Sequence, residues 1–151
     1  MTDVPATMTA LHLMGNGGPE MLQELAYRLV VEDIVRRLEP WTTRLEWEPE
    51  PQVIPTPTLW HLSTRIRGEL ADPASCSSLR LALGLHPTPA VCGVPMHAAR
   101  DAIRRFETFD RDLFTGTIGH MDASGDGDWI VTIRCAEVRG RSARVFAGAG
   151  I

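Results

Sequence analysis

An α+β fold, with an antiparallel β-meander packed by helices, is what the chain predicts, and three observations predict it. Apolar residues recur at helical spacing from Pro19 to Glu39, a second helical stripe follows Pro95, and from Thr117 to Ile151 apolar and polar residues alternate around Gly-Asp turns. At 151 residues, 44% of them hydrophobic, there is one domain's worth of core.

Residues 1–18, with Gly15-Asn16-Gly17-Gly18, show no clear period and read as a mobile leader. From Pro19 to Glu39, Leu22, Leu25, Ala26, Leu29, Val30, Ile34 and Leu38 form one face. Glu24, Arg28, Glu32, Asp33, Arg36 and Arg37 form the other, and Pro40 closes the helix. Thr43–Glu48 alternates like a strand, and the Pro-rich run 49–57 reads as linker or sheet edge, because proline cannot donate to a ladder.

A second strand covers Thr58–Thr64, with Leu59, His61 and Ser63 on one face and Trp60 and Leu62 on the other. Ser77–Leu85 looks helical. Two prolines exclude regular structure from Leu85–Gly93, which reads as a rigid loop suited to lining a pocket. Pro95 opens a helix to about Phe109, with Ala98, Ala99, Ile103 and Phe106 as its buried stripe. The meander then closes the chain.

Net charge is −4 without a basic run, so a nucleic-acid backbone has no electrostatic counterpart here. No stretch reaches the ~18 apolar residues of a spanning helix, and no membrane association is expected. Cys76, Cys92 and Cys135 are odd in number and widely spaced, which points to a reducing cytoplasm and not to a disulfide framework or zinc site. All fifteen basic residues are Arg, so nothing that needs a lysine base, Schiff base or P-loop lysine can come from this chain alone.

Asp122, Ser124, Asp126 and Gly127 imitate the start of a calcium loop, but Ile133 stands at its twelfth position and a strand follows, so the segment reads as a hairpin turn. Gly148-Ala149-Gly150 lacks the third glycine and the helix of a dinucleotide loop, and reads as a place of close backbone approach. His86 reads as structural, bonding the loop backbone. His61, taken alone, reads as an ordinary strand histidine. Arg134, bordered by Thr132 and Ile133 in an expected strand interior, needs an anionic partner, either a substrate or an internal carboxylate.

Six stretches carry a resemblance: Pro57-Thr58-Leu59-Trp60-His61-Leu62, Leu85–Gly93, Phe109-Asp110-Arg111-Asp112-Leu113-Phe114, Gly125-Asp126-Gly127-Asp128-Trp129, Thr132-Ile133-Arg134-Cys135-Ala136 and Phe146–Ile151. In order and spacing they resemble the chorismate-binding family, and within it the isochorismate synthases of siderophore and menaquinone pathways. The likeness runs from about Arg28 to Ile151. It implies a leader at 1–27, a partial chorismate-binding domain at 28–151, and a piece of the layered fold of anthranilate synthase component I.

The resemblance also implies roles. Arg134 matches the arginine that grips a carboxylate of chorismate, and Gly148 the glycine whose amide helps hold it. His61 matches the active-site histidine that bonds the ring substituents, which reverses the reading of that residue. Ala90 stands where isochorismate synthases part from aminating relatives, and Val91 and Phe114 match apolar wall positions. In the family a lysine activates water, a glutamate protonates the leaving hydroxyl, and Mg2+ on two further glutamates clamps the ring carboxylate.

The chain departs from that pattern. It has no lysine, and its ungapped counterpart of the first metal-ligand pair is Ala26-Tyr27, with Glu24 nearby. The second metal glutamate follows the Gly-Ala-Gly-Ile segment in the family, where this sequence ends. Truncation at both ends is therefore expected, with Mg2+ implied by the family but its ligands not evident. The expected function is that of an isochorismate synthase homologue with little or no turnover of its own. The alternative is a non-catalytic module binding chorismate or isochorismate, or a subunit completed by another chain. Exposed apolar sheet surface would favour self-association or such complementation.

Overall fold

The computed structural model describes the backbone of residues 4–10, 20–55 and 60–146, with side chains for 25–55 and 62–146. It divides into two compact units, Met1–Cys76 and Ser77–Ile151.

The first unit pairs one helix with an antiparallel sheet. The expected helix is α1, Glu20–Leu38, but its buried face is rotated from the expected stripe. Tyr27, Val30, Ile34, Val35 and Leu38 are buried, while Leu25 and Leu29 are exposed. Asp33, assigned to the polar face, is buried too, where Arg36 and Arg37 both engage its carboxylate. Two guanidiniums offset the cost of taking that charge out of water.

A short 3₁₀ turn, Glu39–Trp41, leads into β2, Thr42–Trp47. The Pro-rich run supplies β3, Gln52–Pro55, and then comes β4, Trp60–Leu70, longer than expected. β4 is the centre of the sheet: β1 (Val4–Ala10) lies along one side of it, and β2 and β3 along the other. Thr64 and Ile66, at 1% and 0% exposure, alternate inward from it, and the Tyr27 hydroxyl meets Thr64 Oγ1 at 2.5 Å, fastening α1 to the sheet.

Within the segment 1–18, read from sequence as a mobile leader, residues 4–10 form the strand β1. Val4, Ala6, Met8 and Ala10 alternate with Pro5, Thr7 and Thr9, a period two that the short segment barely displays. Pro5 is tolerated because β1 is an edge strand.

The second unit begins with α2, Ser78–Leu85, where the Ser77 hydroxyl accepts from the Arg80 amide at the N-terminus. The expected irregular loop follows, with cis peptides at His86-Pro87 and Val94-Pro95. α3 is Met96–Phe106. Its expected buried stripe is not buried, since Ala98 is exposed and Phe106 is 72% exposed. The period is helical, but no described layer covers that face.

Two antiparallel hairpins complete the unit, β5 (Thr117–Met121) with β6 (Gly127–Val131) and β7 (Ala136–Arg139) with β8 (Ser142–Val145). The single meander is thereby corrected to two separate ladders. Trp129 Nε1 donates to Ser78 Oγ at 3.2 Å and the Ser78 amide donates to Gly125 O at 2.8 Å, docking the first hairpin on α2. The Asp122 carboxylate accepts from the Ser124 and Asp126 amides at 2.9 and 3.1 Å, so the acidic turn closes on itself, as read from sequence.

Candidate functional site

In the second unit the Pro-rich loop and the turn after α3 are tied together by one side chain. Arg111 donates from Nε to Glu107 Oε2 at 2.7 Å, and from Nη1 to the Val91 carbonyl at 2.8 Å and to Thr115 Oγ1 at 3.2 Å. Its Nη2 also engages the second Glu107 oxygen. This bonding holds the Glu107 carboxyl below its ordinary range and pushes the Arg111 guanidinium above its own. The pair is therefore ionised at neutral pH, and it lies close to Phe114, with the guanidinium carbon 5.9 Å from the ring centre.

Phe114 stacks on Phe146, with centroids 4.9 Å apart and planes 12° from parallel. Phe109 leans on the same ring at 6.1 Å. Phe146 is buried and its amide donates to Cys135 O at 2.9 Å, so the second hairpin ends against this aromatic group. Val91 is half-buried and Ala90 is exposed beside it. The Val91 and Cys92 amides both donate to the carbonyl of buried Thr88 at 3.1 Å, which makes the loop a closed turn. Ala90, Val91 and Phe114 thus belong to neighbouring turns joined through Arg111.

Arg134 is not where the sequence reading put it. It lies between β6 and β7, outside both ladders, exposed, with φ at +50°. At Thr132 the hydroxyl lies against the Leu113 and Gly116 carbonyls, and the amide donates to Gly116 O at 2.9 Å. The Ile133 amide then turns back to Val131 O at 3.1 Å, and the strand ends at Val131, three residues before the arginine. Desolvation in a strand interior therefore does not single Arg134 out. Among the described residues its guanidinium has no hydrogen-bond or ion-pair partner, which leaves it available to an anion.

His61 lies in β4 with its backbone opposite Ile54. Gly148 falls outside the described residues. His86 does not bond the loop backbone through Nδ1: that nitrogen is buried without a partner, and burial holds the imidazole below its ordinary value of 6.5. Sequence reasoning missed Arg111 and Glu107. The signal was present, an acid and an arginine four residues apart across a helix end, followed by aromatic residues, but the same spacing is common on plain surfaces.

Among the described residues no group of three or more His, Cys, Asp or Glu could hold a metal ion. The described residues do not fit a magnesium centre. An open groove on the β7–β8 hairpin is lined by Glu137, Arg139, Ser142, Ala143 and Arg144. Its arginines already face acids: Arg139 pairs with Glu137 at 2.5 Å, and Arg144 lies 3.6 Å from Asp112.

The family model described as chorismate binding enzyme matches residues 23–151. Isochorismate synthase DhbC of Bacillus subtilis is 52% identical over 125 residues, covering 83% of this chain and 31% of the relative. The crystal structure of DhbC from Bacillus anthracis, assigned as a 2,3-dihydroxybenzoate-specific isochorismate synthase, superposes with a TM-score of 0.82 at 43% identity, over 99% of this chain and 43% of its own. MenF, the menaquinone-specific isochorismate synthase of Escherichia coli, superposes with a TM-score of 0.72 at 30% identity, over 99% of this chain and 36% of that one. The chain thus spans about a third of the length of the curated relative it matches.

Proposed function

The chain belongs to the chorismate-binding enzyme family, and from that premise we propose that it forms part of the substrate site of an isochorismate synthase, an isomerase converting chorismate to isochorismate for siderophore or menaquinone biosynthesis. The observation that carries this reading is the 52% identity to an isochorismate synthase over a stretch that accounts for 83% of the chain.

Each residue then has a chemical task. The Arg134 guanidinium offers a planar pair of donors to a substrate carboxylate, the geometry in which arginine binds such groups best. The Gly148 amide supplies a further donor, and a residue without a side chain there lets the substrate approach the backbone. His61 hydrogen-bonds the ring substituents. Ala90 presents no hydroxyl at the position that matches the family's point of divergence, and Val91 and Phe114 exclude water from the ring face.

The reaction adds water at one ring carbon and expels hydroxide from another, so it needs a base for the water and an acid for the leaving group. With no lysine in the sequence, the family's base is not among these residues. Magnesium is implied by the family alone. The three cysteines are free thiols, in keeping with a cytoplasmic setting. No helix among the described residues is long and apolar enough to cross a membrane.

The absence of lysine favours a second reading, a chorismate-binding or complementing subunit without chemistry of its own. Calorimetry with chorismate, run beside an assay for isochorismate, separates the possibilities. The expected result is saturable binding, with turnover at least ~100-fold below that of a full-length synthase, because a missing base removes about two or more orders of magnitude. Strong magnesium-dependent turnover by the purified chain would overturn the second reading, and absence of chorismate binding would overturn both.

A further inference from the structure

Arg111 spends its donors on three different segments. An ordinary pair four residues apart across a helix end would need only Glu107, and would contribute little at the surface. Here the guanidinium and carboxylate are each about a quarter exposed, and Nη1 turns away from Glu107 to the Val91 carbonyl and the Thr115 hydroxyl. Thr115 and Asp112, on either side of Phe114, have φ of +62° and +47°, a backbone region that non-glycine residues occupy only when their surroundings enforce it.

We propose that Arg111, oriented by Glu107, is a positioning residue: it fixes the Ala90–Val91 turn relative to Phe114, holding two walls of the candidate site at one spacing. The proposal rests on the reading of Ala90, Val91 and Phe114 as substrate walls. Glu107 fills one edge of the fork, and this orients the remaining donor toward the Pro-rich loop. Lysine in its place would keep the charge but, as a single point of donation, could not serve Glu107, Val91 and Thr115 together.

The test uses the whole chain, with Arg111→Lys and the exchanged pair Glu107→Arg/Arg111→Glu. The exchanged pair restores opposite charges, but a glutamate at 111 cannot donate to the Val91 carbonyl. Amide hydrogen exchange is followed at Val91 and Cys92, whose amides close the loop turn on Thr88. Chorismate affinity is measured by calorimetry. In both variants, exchange at Val91 and Cys92 is expected to rise about tenfold while β5 and β6 stay unchanged, and the chorismate Kd is expected to rise about fivefold or more.

Wild-type exchange at Val91 and Cys92 in both variants overturns the proposal. So does faster exchange spread evenly over the unit, which marks a mere stability element, or local loosening with an unchanged Kd. If the unmodified chain fails to bind chorismate, the substrate reading falls by itself, while the exchange pattern still decides whether Arg111 pins the loop.

Discussion

Arg111 and Arg134 show how differently two arginines of one unit are used. The first is saturated by Glu107, Val91 and Thr115, so its work is inside the protein. The second stands exposed, with left-handed backbone, and is open to solvent. The sequence reading placed Arg134 by its apolar neighbours and could not see the turn at Ile133 that ends the strand early. The residue was legible and its surroundings were not. His86 makes a prediction of its own. Burial holds its imidazole below 6.5 and leaves Nδ1 unpartnered, so the unfolded chain takes up a proton before the folded one does. Stability is then fullest above about pH 6.5 and falls as pH drops below that value, levelling off once the folded imidazole also titrates. Urea unfolding between about pH 7.5 and 5.5 should show this slope, and His86→Leu should flatten it. An equal slope in that variant would place the titration elsewhere.

The hairpins and the sheet differ in how plainly the sequence announces them. β5 and β6 are legible because an Asp-Gly turn sits between two alternating runs, and Gly119 explains why the pair can lie so close. A Cβ there would stand 2.1 Å from Asp128 O and 2.7 Å from the Trp129 ring. Gly119→Ala is therefore expected to cost about 2 to 3 kcal/mol, read as a lower urea midpoint at unchanged slope. An unaffected midpoint would mean that the ladder relaxes around the methyl group. β1 and the true face of α1 were harder to read. A seven-residue edge strand carries little pattern, and α1 buries Asp33 because Arg36 and Arg37 neutralise it, which periodicity alone assigns to solvent. The exposed stripe of α3 is the converse case: helical spacing says that a face could be buried, not that a partner layer is described.

Across the molecule, the residues singled out from the sequence divide between the two units. His61 belongs to the first, while Ala90, Val91, Phe114 and Arg134 belong to the second. The chain spans 31% of the length of its B. subtilis relative. Several large apolar residues of the second unit are open to solvent, among them Leu113 at 75%, Val138 at 71% and Val145 at 74% exposure. Surfaces of this kind suit either self-association or a complementing polypeptide, which we propose as alternatives. The family was legible from six short motifs that follow one another along the stretch the family model matches. The wall-setting role of Arg111 was not, because it depends on which carbonyl lies within reach of its third nitrogen. The most direct measurement is a chorismate titration of the isotopically labelled chain, followed by amide and Arg side-chain NMR, with Arg134→Ala alongside. Saturable shifts centred on Arg134, Val91 and Phe114, with affinity weakened about tenfold in Arg134→Ala, are the predicted result. Shifts that avoid those residues, or an affinity indifferent to the loss of Arg134, would contradict it.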